Sequence, residues 1–159
     1  MSTSPEHSAT VFNAADYLVD RHLREGRGTR TAVVSSTRTL NYQGLALEVH
    51  RVAGGLQKLG VRREDRVMLC MVDDVELLTG ILATIYLGAI AIPVSTMLSG
   101  PELGKLVADA HVRIVCASTE FVAAIAIAPR WPPMSPTWCS TASPKSAASP
   151  APPCTTGTL

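Results

Sequence analysis

Asp73, Asp74 and Glu76 form the one dense carboxylate group in this 159-residue sequence. Paired acids can hold Mg²⁺ or share a proton. The same residues stand where the apolar run RVMLCMV gives way to VELLTGILATIYL. A helix N-terminus at that point would favour negative charge by about 0.3–1 kcal/mol per residue without any ligand, so capping is the stronger reading. The histidines His7, His22, His50 and His111 are scattered, and no Ser, Cys or carboxylate stands beside them at triad spacing. Cys70, Cys116, Cys139 and Cys154 lie 46, 23 and 15 residues apart, with no CxxC and no zinc-ligand spacing. Cys70 and Cys116 sit inside apolar runs, where a thiol behaves as a small hydrophobe. Arg62, Arg63 and Arg66, interleaved with Glu64 and Asp65, read as a solvated turn. Gly54–Gly55 fit neither G-x-G-x-x-G nor G-x-x-x-x-G-K-[ST]. No catalytic, cofactor-binding or metal-binding residue is therefore assigned.

The elements that would position such groups are clearer than the groups themselves. Asn13 can cap a helix over Ala14–Glu25, with Asp16 in its first turn and Gly26 as its stop. TAVVSS reads as a strand, with Ser36–Thr37 turning into a short run at Arg38–Leu40. Leu45, Val49, Val52, Leu56 and Leu59 recur at spacings of 4, 3, 4 and 3 and so share one helical face, started by Asn41 and stopped by Gly60. Gly54–Gly55 weaken that helix by about 1 kcal/mol each relative to Ala, for which close packing against another backbone is the ordinary reason. Strand RVMLCMV, helix Val75–Leu87, strand IAIPV, a helix entered through Gly100–Pro101–Glu102 and running to about Ala110, and strand HVRIVCA then follow in order. Ser118–Thr119 can cap a short apolar helix through Ile127. Strands without polar alternation are covered on both faces, so Arg66 to Ala117 predicts an α/β fold: a parallel βαβαβ sheet with right-handed crossovers. The helix Val75–Leu87 is apolar around most of its circumference and expects protein on more than one side. A sheet this small also leaves open edges, so the pattern describes an incomplete parallel-sheet subdomain.

Composition divides the chain. Fourteen basic against thirteen acidic residues leave a net charge of +1, which supplies no footprint for nucleic acid. Eight of the eleven prolines and both tryptophans fall in residues 129–159, where Arg130 and Lys145 are the sole charged residues. We therefore expect a flexible N-terminus at 1–12, a partial domain at 13–128 and a Pro/Ser/Ala-rich disordered tail at 129–159. The Trp, Met and Cys of that tail suit a linker poorly and fit out-of-frame translation of GC-rich coding DNA. The start MSTSPEHSATVF lacks a signal-peptide pattern, and the cysteine usage suits a reducing, cytoplasmic setting. The charge-free stretch Leu77–Val94 is long enough to cross a bilayer, but Gly80, Gly88 and Pro93 interrupt it, so a helix followed by a strand is expected.

The order of these segments resembles the start of the AMP-forming acyl- and aryl-CoA ligases, the adenylate-forming superfamily. The resemblance covers Asn13 to Phe121 and rests on three features in sequence: Leu40–Tyr42 before a helix ending Gly55-Leu56-x-x-Leu59-Gly60-Val61, the turn-and-strand Glu64-Asp65-Arg66-Val67, and Gly88-Ala89-Ile90-Ala91-Ile92-Pro93-Val94. The entry NAADYLVDRH is most similar to the benzoate-CoA ligase branch. The resemblance implies a full-length protein that activates a small, benzoate-like carboxylic acid with ATP and Mg²⁺ and passes the acyl group to CoA. It also implies a T-S-G-[ST]-T-G-x-P-K phosphate loop and a catalytic Lys, which these 159 residues do not contain; Cys154-Thr155-Thr156-Gly157-Thr158 lacks the Pro-Lys. Where many relatives bring a basic residue towards CoA, this sequence has Met97. The expectation is an N-terminal ligase fragment that binds no cofactor and is inactive alone. Two other readings stand beside it: a non-enzymatic interaction module that self-associates through an exposed sheet edge, and a small membrane protein anchored by residues 77–94.

Overall fold

A computed structural model describes residues 12–121 and the backbone of 137–141. Asn13 opens the first helix: its Oδ1 accepts from the N–H groups of Ala15 (2.9 Å) and Asp16 (3.3 Å). The helix is not uniform. A π-helical stretch, Asp16–Asp20, passes into α1, Arg21–Arg24. β1 (Thr31–Val34) and β2 (Thr39–Asn41) then form an antiparallel hairpin with a bulge between Thr31 and Val33, separate from the main sheet.

α2 spans Tyr42–Lys58, and its cap Asn41 accepts from the Gly44 N–H at 2.8 Å. Of the predicted stripe, Leu45, Val49 and Leu56 are buried, while Val52 and Leu59 pack partly buried beside them. Gly60 closes the helix at φ +86°, and Gly88 closes the next at φ +71°; both are left-handed conformations that cost glycine no steric clash. The expectation for Gly54–Gly55 needs correction. A Cβ at either position would meet nothing within 4 Å, so no neighbouring backbone accounts for them among the described residues.

The main sheet follows. β3 (Arg66–Cys70) leads to α3 (Val75–Tyr86), β4 (Ile90–Pro93), α4 (Gly100–Asp109) and β5 (Ile114–Ser118). A 3-10 turn at Thr119–Phe121 ends this segment, and the rest of the helix expected through Ile127 lies outside the described residues. Strand order is β4-β3-β5-β6, all parallel, with β6 at Thr137–Thr141 beside β5. Of the tail at 129–159, this strand is the described part.

Residue alternation along the strands feeds two cores. Val67, Leu69, Ile114 and Cys116 pack with α2 and α3 on one face. Met68, Cys70, Val115 and Ala117 pack with Leu103 and Val107 of α4 on the other. Both faces of β3 and β5 are thus dry, which is why these strands read as unbroken apolar runs. β4 packs Ala91 and Ile92 against the two cores but only partly buries them; among the described residues it pairs on one side only and is exposed at both ends, which suits Pro93, a residue without the N–H a central strand would need. α3 obtains its several-sided cover within the chain: α2, the sheet and the N-terminal helix surround it, leaving Tyr86 as its exposed residue. The stretch 77–94 is therefore part of a helix, a turn and a strand rather than one continuous helix. Among the described residues no helix is long and apolar enough to cross a membrane.

Candidate functional site

The strand order fixes where a ligand crevice would form. The connection from β3 to β4 covers one face and that from β4 to β5 the other, so the carboxyl ends of β3 and β5 diverge from a topological switch point. There the Val72 N–H donates to Ser118 Oγ at 3.0 Å, joining the two strand ends. Asp73 is exposed beside this junction, and Thr119 and Glu120 are exposed on the turn that follows β5.

Neighbouring elements occupy the other two carboxylates. Asp74 Oδ1 accepts from the Val75 N–H at 2.7 Å, and Thr37 Oγ1, from the hairpin turn, donates to Asp74 Oδ2 at 3.1 Å. The Val75 N–H is the main cause that holds the Asp74 carboxyl below its usual range, against opposing burial and with help from the Ser35 and Thr37 hydroxyls and the Arg38 charge. Glu76 Oε1 accepts from Arg38 Nη2 at 2.8 Å. The same guanidinium grips Glu48 of α2 through both nitrogens, at 2.5 and 3.0 Å. Burial pulls the Arg38 pKa down, yet Glu48, Glu76 and Asp74 together raise it above its ordinary value. One arginine thus ties the hairpin, α2 and α3 together. The three sequence candidates adjoin one another, but as a cap, an ion-pair partner and a solvated acid. Among the described residues no group of three potential ligands is placed to hold a metal.

The remaining candidates disperse. His22 stacks on Tyr42 with ring centroids 4.0 Å apart. His50 pairs with Asp20 at 3.2 Å and tilts against Tyr86. His111 does not begin a strand as expected; it follows α4 at φ +50°, in the left-handed position that usually holds glycine. Cys70 and Cys116 are buried free thiols on opposite faces of the sheet, and burial pushes Cys116 up to about 12. The turn at 62–66 is solvated, with the Arg62 N–H donating to Asp65 at 2.8 Å. His7 and Cys154 lie outside the described residues, as does the Cys139 side chain. Met97, past the carboxyl end of β4, is 93% exposed.

The sequence reading missed Arg38 and the second half of Asn13's role. Asn13 Nδ2 donates to the carbonyls of Ile85 (2.9 Å) and Tyr86 (3.2 Å), so one side chain caps the start of the first helix and the end of α3. Glu102 is read from the sequence as part of the α4 entry but not as the partner of Ser99, although S-x-x-E before an apolar helix signals the reciprocal capping box seen here.

Among the described residues, Asp73 and Glu120 follow β3 and β5, Asp74 and Glu76 stand at the start of α3, and Arg38 is committed to two carboxylates, so the local charge opposes a triphosphate.

Parallel strands wound in both directions from a switch point define an α/β ligand-binding fold. The family model for AMP-binding enzymes matches residues 19–152, and the chain belongs to that family. The matched segment and β6 both run into the tail at 129–159. Among curated relatives, the chain is 32% identical to benzoate–CoA ligase of Thauera aromatica over 112 residues, which is 70% of this chain and 21% of that enzyme. It is 35% identical to the 4-hydroxybenzoate–CoA/benzoate–CoA ligase of Rhodopseudomonas palustris over 114 residues, 72% of this chain and 21% of that enzyme. The chain thus spans about a fifth of the length of these relatives. A solved anthranilate CoA ligase in complex with anthranoyl-AMP aligns at TM-score 0.75 and 29% identity, covering 81% of this chain and 25% of that one. A benzoate CoA ligase of Burkholderia xenovorans aligns at TM-score 0.72 and 29% identity, covering 84% and 26%. The N-terminal domain of FACL13 from Mycobacterium tuberculosis aligns at TM-score 0.71 and 25% identity, covering 82% and 34%.

Proposed function

We propose that this chain supplies the amino-terminal subdomain of an AMP-forming aryl-CoA ligase acting on a benzoate-like carboxylic acid, and that alone it does not adenylate its acid. The identity to two benzoate–CoA ligases over 70% or more of the chain carries the substrate class. ATP, Mg²⁺ and CoA are the co-substrates and cofactor of the complete reaction, in a reducing cytoplasmic setting. The acid-rich carboxyl edge supports inactivity of the isolated chain, because a triphosphate needs cations or free backbone amides there.

ATP–pyrophosphate exchange with benzoate tests this reading. The purified 159-residue chain should give none. The same chain mixed with the remaining segment of a benzoate–CoA ligase relative should restore measurable exchange. Robust exchange by the chain alone would overturn the inactivity. Exchange restored with acetate or fatty acids but not with benzoate would overturn the substrate class.

A further inference from the structure

We propose that α1 and the turn joining it to β1 form a binding site for a phosphate-class oxyanion, built by Arg21, His22, Arg27 and Arg30. The proposal is independent of the ligase reading. The turn lies at the open end of the hairpin, where Arg30 and Gly28 carbonyls accept from the Tyr42 and Gln43 N–H groups. The hairpin's other end carries Thr37, which meets Asp74 at the carboxyl edge.

Three observations converge on this segment. First, among the described residues the buried side-chain nitrogens and oxygens without a hydrogen-bond partner are Arg21 Nε, His22 Nδ1 and Arg27 Nε. Two of them stand in α1 and the third in the turn that follows it. A buried donor left unpaired bears its full desolvation cost, and a cationic donor bears more.

Second, the local charges do not balance. Arg24 is taken by Asp16, with both nitrogens on both oxygens, and Asp20 is taken by His50. With His50 neutral, Arg21, Arg27 and Arg30 then face Glu25 and Asp20. Glu25 pairs with Arg27 Nη2 and stands 4.0 Å from Arg21 Nε. The surplus is one positive charge, and the buried Nε of Arg27 stays unpaired.

Third, two of the donors are held in place by aromatic rings. Arg21 lies over the Tyr17 ring at 3.9 Å, and His22 is stacked on Tyr42. Pre-positioned guanidinium edges suit an oxyanion, which accepts from several N–H groups at once. Burial, followed by the charges of Arg27, Arg21 and Arg30, holds His22 below its ordinary pKa, so the ring senses the same field a bound anion would cancel.

The test is an NMR titration of the full chain with inorganic phosphate near neutral pH, with sodium chloride at equal ionic strength as control and AMP as a second probe. Phosphate should shift the Arg21 and Arg27 Nε–H resonances saturably and raise the His22 pKa. Arg27→Gln and Arg30→Gln should each weaken binding about tenfold, the size expected for one charge-assisted contact. Arg51→Gln, on the exposed side of α2, should leave it unchanged. AMP binding more tightly than phosphate would assign the site to a nucleotide phosphoryl group; equal affinity would assign it to the free oxyanion. Shifts that chloride reproduces, or an unmoved His22 pKa at saturating phosphate, would overturn the proposal. Arg27→Lys, which keeps the charge and loses the fork, controls for folding. If it binds as weakly as Arg27→Gln while unfolding normally, the guanidinium geometry is required.

Discussion

Removing the guanidinium of Arg38 should destabilise the chain more than any other single change of surface charge. Its three contacts, at 2.5, 3.0 and 2.8 Å, join the hairpin to α2 and α3. Two limits bracket the effect: a fully exposed pair contributes about 0–1 kcal/mol, and stripping one partner from a buried pair costs about 3–5 kcal/mol. Side-chain exposures of 33% for Arg38, 16% for Glu48 and 26% for Glu76 place this network between them. Arg38→Gln should therefore cost about 2 kcal/mol, because two half-buried carboxylates would be left facing each other with Asp74 nearby. At the size of this chain that lowers Tm by about 4–8 °C. Arg38→Lys should cost about 1 kcal/mol, since it keeps the charge but loses the fork that spans two carboxylates. Arg38→Met in a Glu48→Gln, Glu76→Gln background should cost far less than the sum of the separate changes. Urea unfolding followed by circular dichroism reads each of these proteins. A loss below about 0.5 kcal/mol for Arg38→Gln, within the range of ordinary surface substitutions, would refute the argument.

Four other outcomes follow from the structure. The folded-state pKa of Asp74 lies below its unfolded value, so its contribution is present above about pH 4 and disappears as pH falls through the folded pKa; the stability gap between wild type and Asp74→Asn should close over that acid window in pH-dependent urea melts. Gly54→Ala and Gly55→Ala should each stabilise the isolated chain by up to about 1 kcal/mol, since a Cβ meets nothing there; a loss of stability would mean that another segment packs on this face. Asn13→Asp should be less stable than wild type by about 1 kcal/mol despite keeping the N-cap acceptor, because it withdraws both donors from the Ile85 and Tyr86 carbonyls and sets a negative charge at the C-terminal end of α3. Cys116, buried and with its thiol pushed up to about 12, should resist alkylation in the native chain and react once urea unfolds it; labelling at the native rate of a free thiol would contradict its burial.

The parts of the fold legible in the sequence are those set by neighbours along the chain. Continuous apolar runs at Arg66–Cys70 and Ile114–Ser118 announced strands covered on both faces, and Asn41, Asp74, Gly60 and Gly88 marked helix ends where the structure has them. Arg38 was illegible because its partners lie 10 and 38 residues away, and Asn13's donors because their carbonyls lie 72 and 73 residues away. β4 was read as buried because IAIPV has no polar alternation; pairing on one side alone, which no local pattern encodes, leaves its ends exposed. Gly54–Gly55 show the converse, a local feature whose usual cause is missing from the described neighbourhood.

The carboxyl edge shows why a sound α/β scaffold and a working nucleotide site are separate properties. Asp74 stabilises α3 by capping it, and Glu76 stabilises the hairpin junction by holding Arg38; both roles require these carboxylates to stay ionised and engaged. The same charges raise the electrostatic cost of bringing a triphosphate to this edge, and Arg38 cannot turn towards it without releasing Glu48 and Glu76. Stability of this segment and affinity for phosphate are therefore in opposition at this edge. On the proposed ligase reading, cations or amides from outside the described residues offset that charge. Neutralising Asp73, the one acid there that is exposed and has no structural partner among the described residues, tests whether charge alone is the obstacle. Asp73→Asn should leave stability within about 0.5 kcal/mol and should still give no exchange in the isolated chain. Exchange gained by that single substitution would mean the scaffold already holds the rest of a nucleotide site.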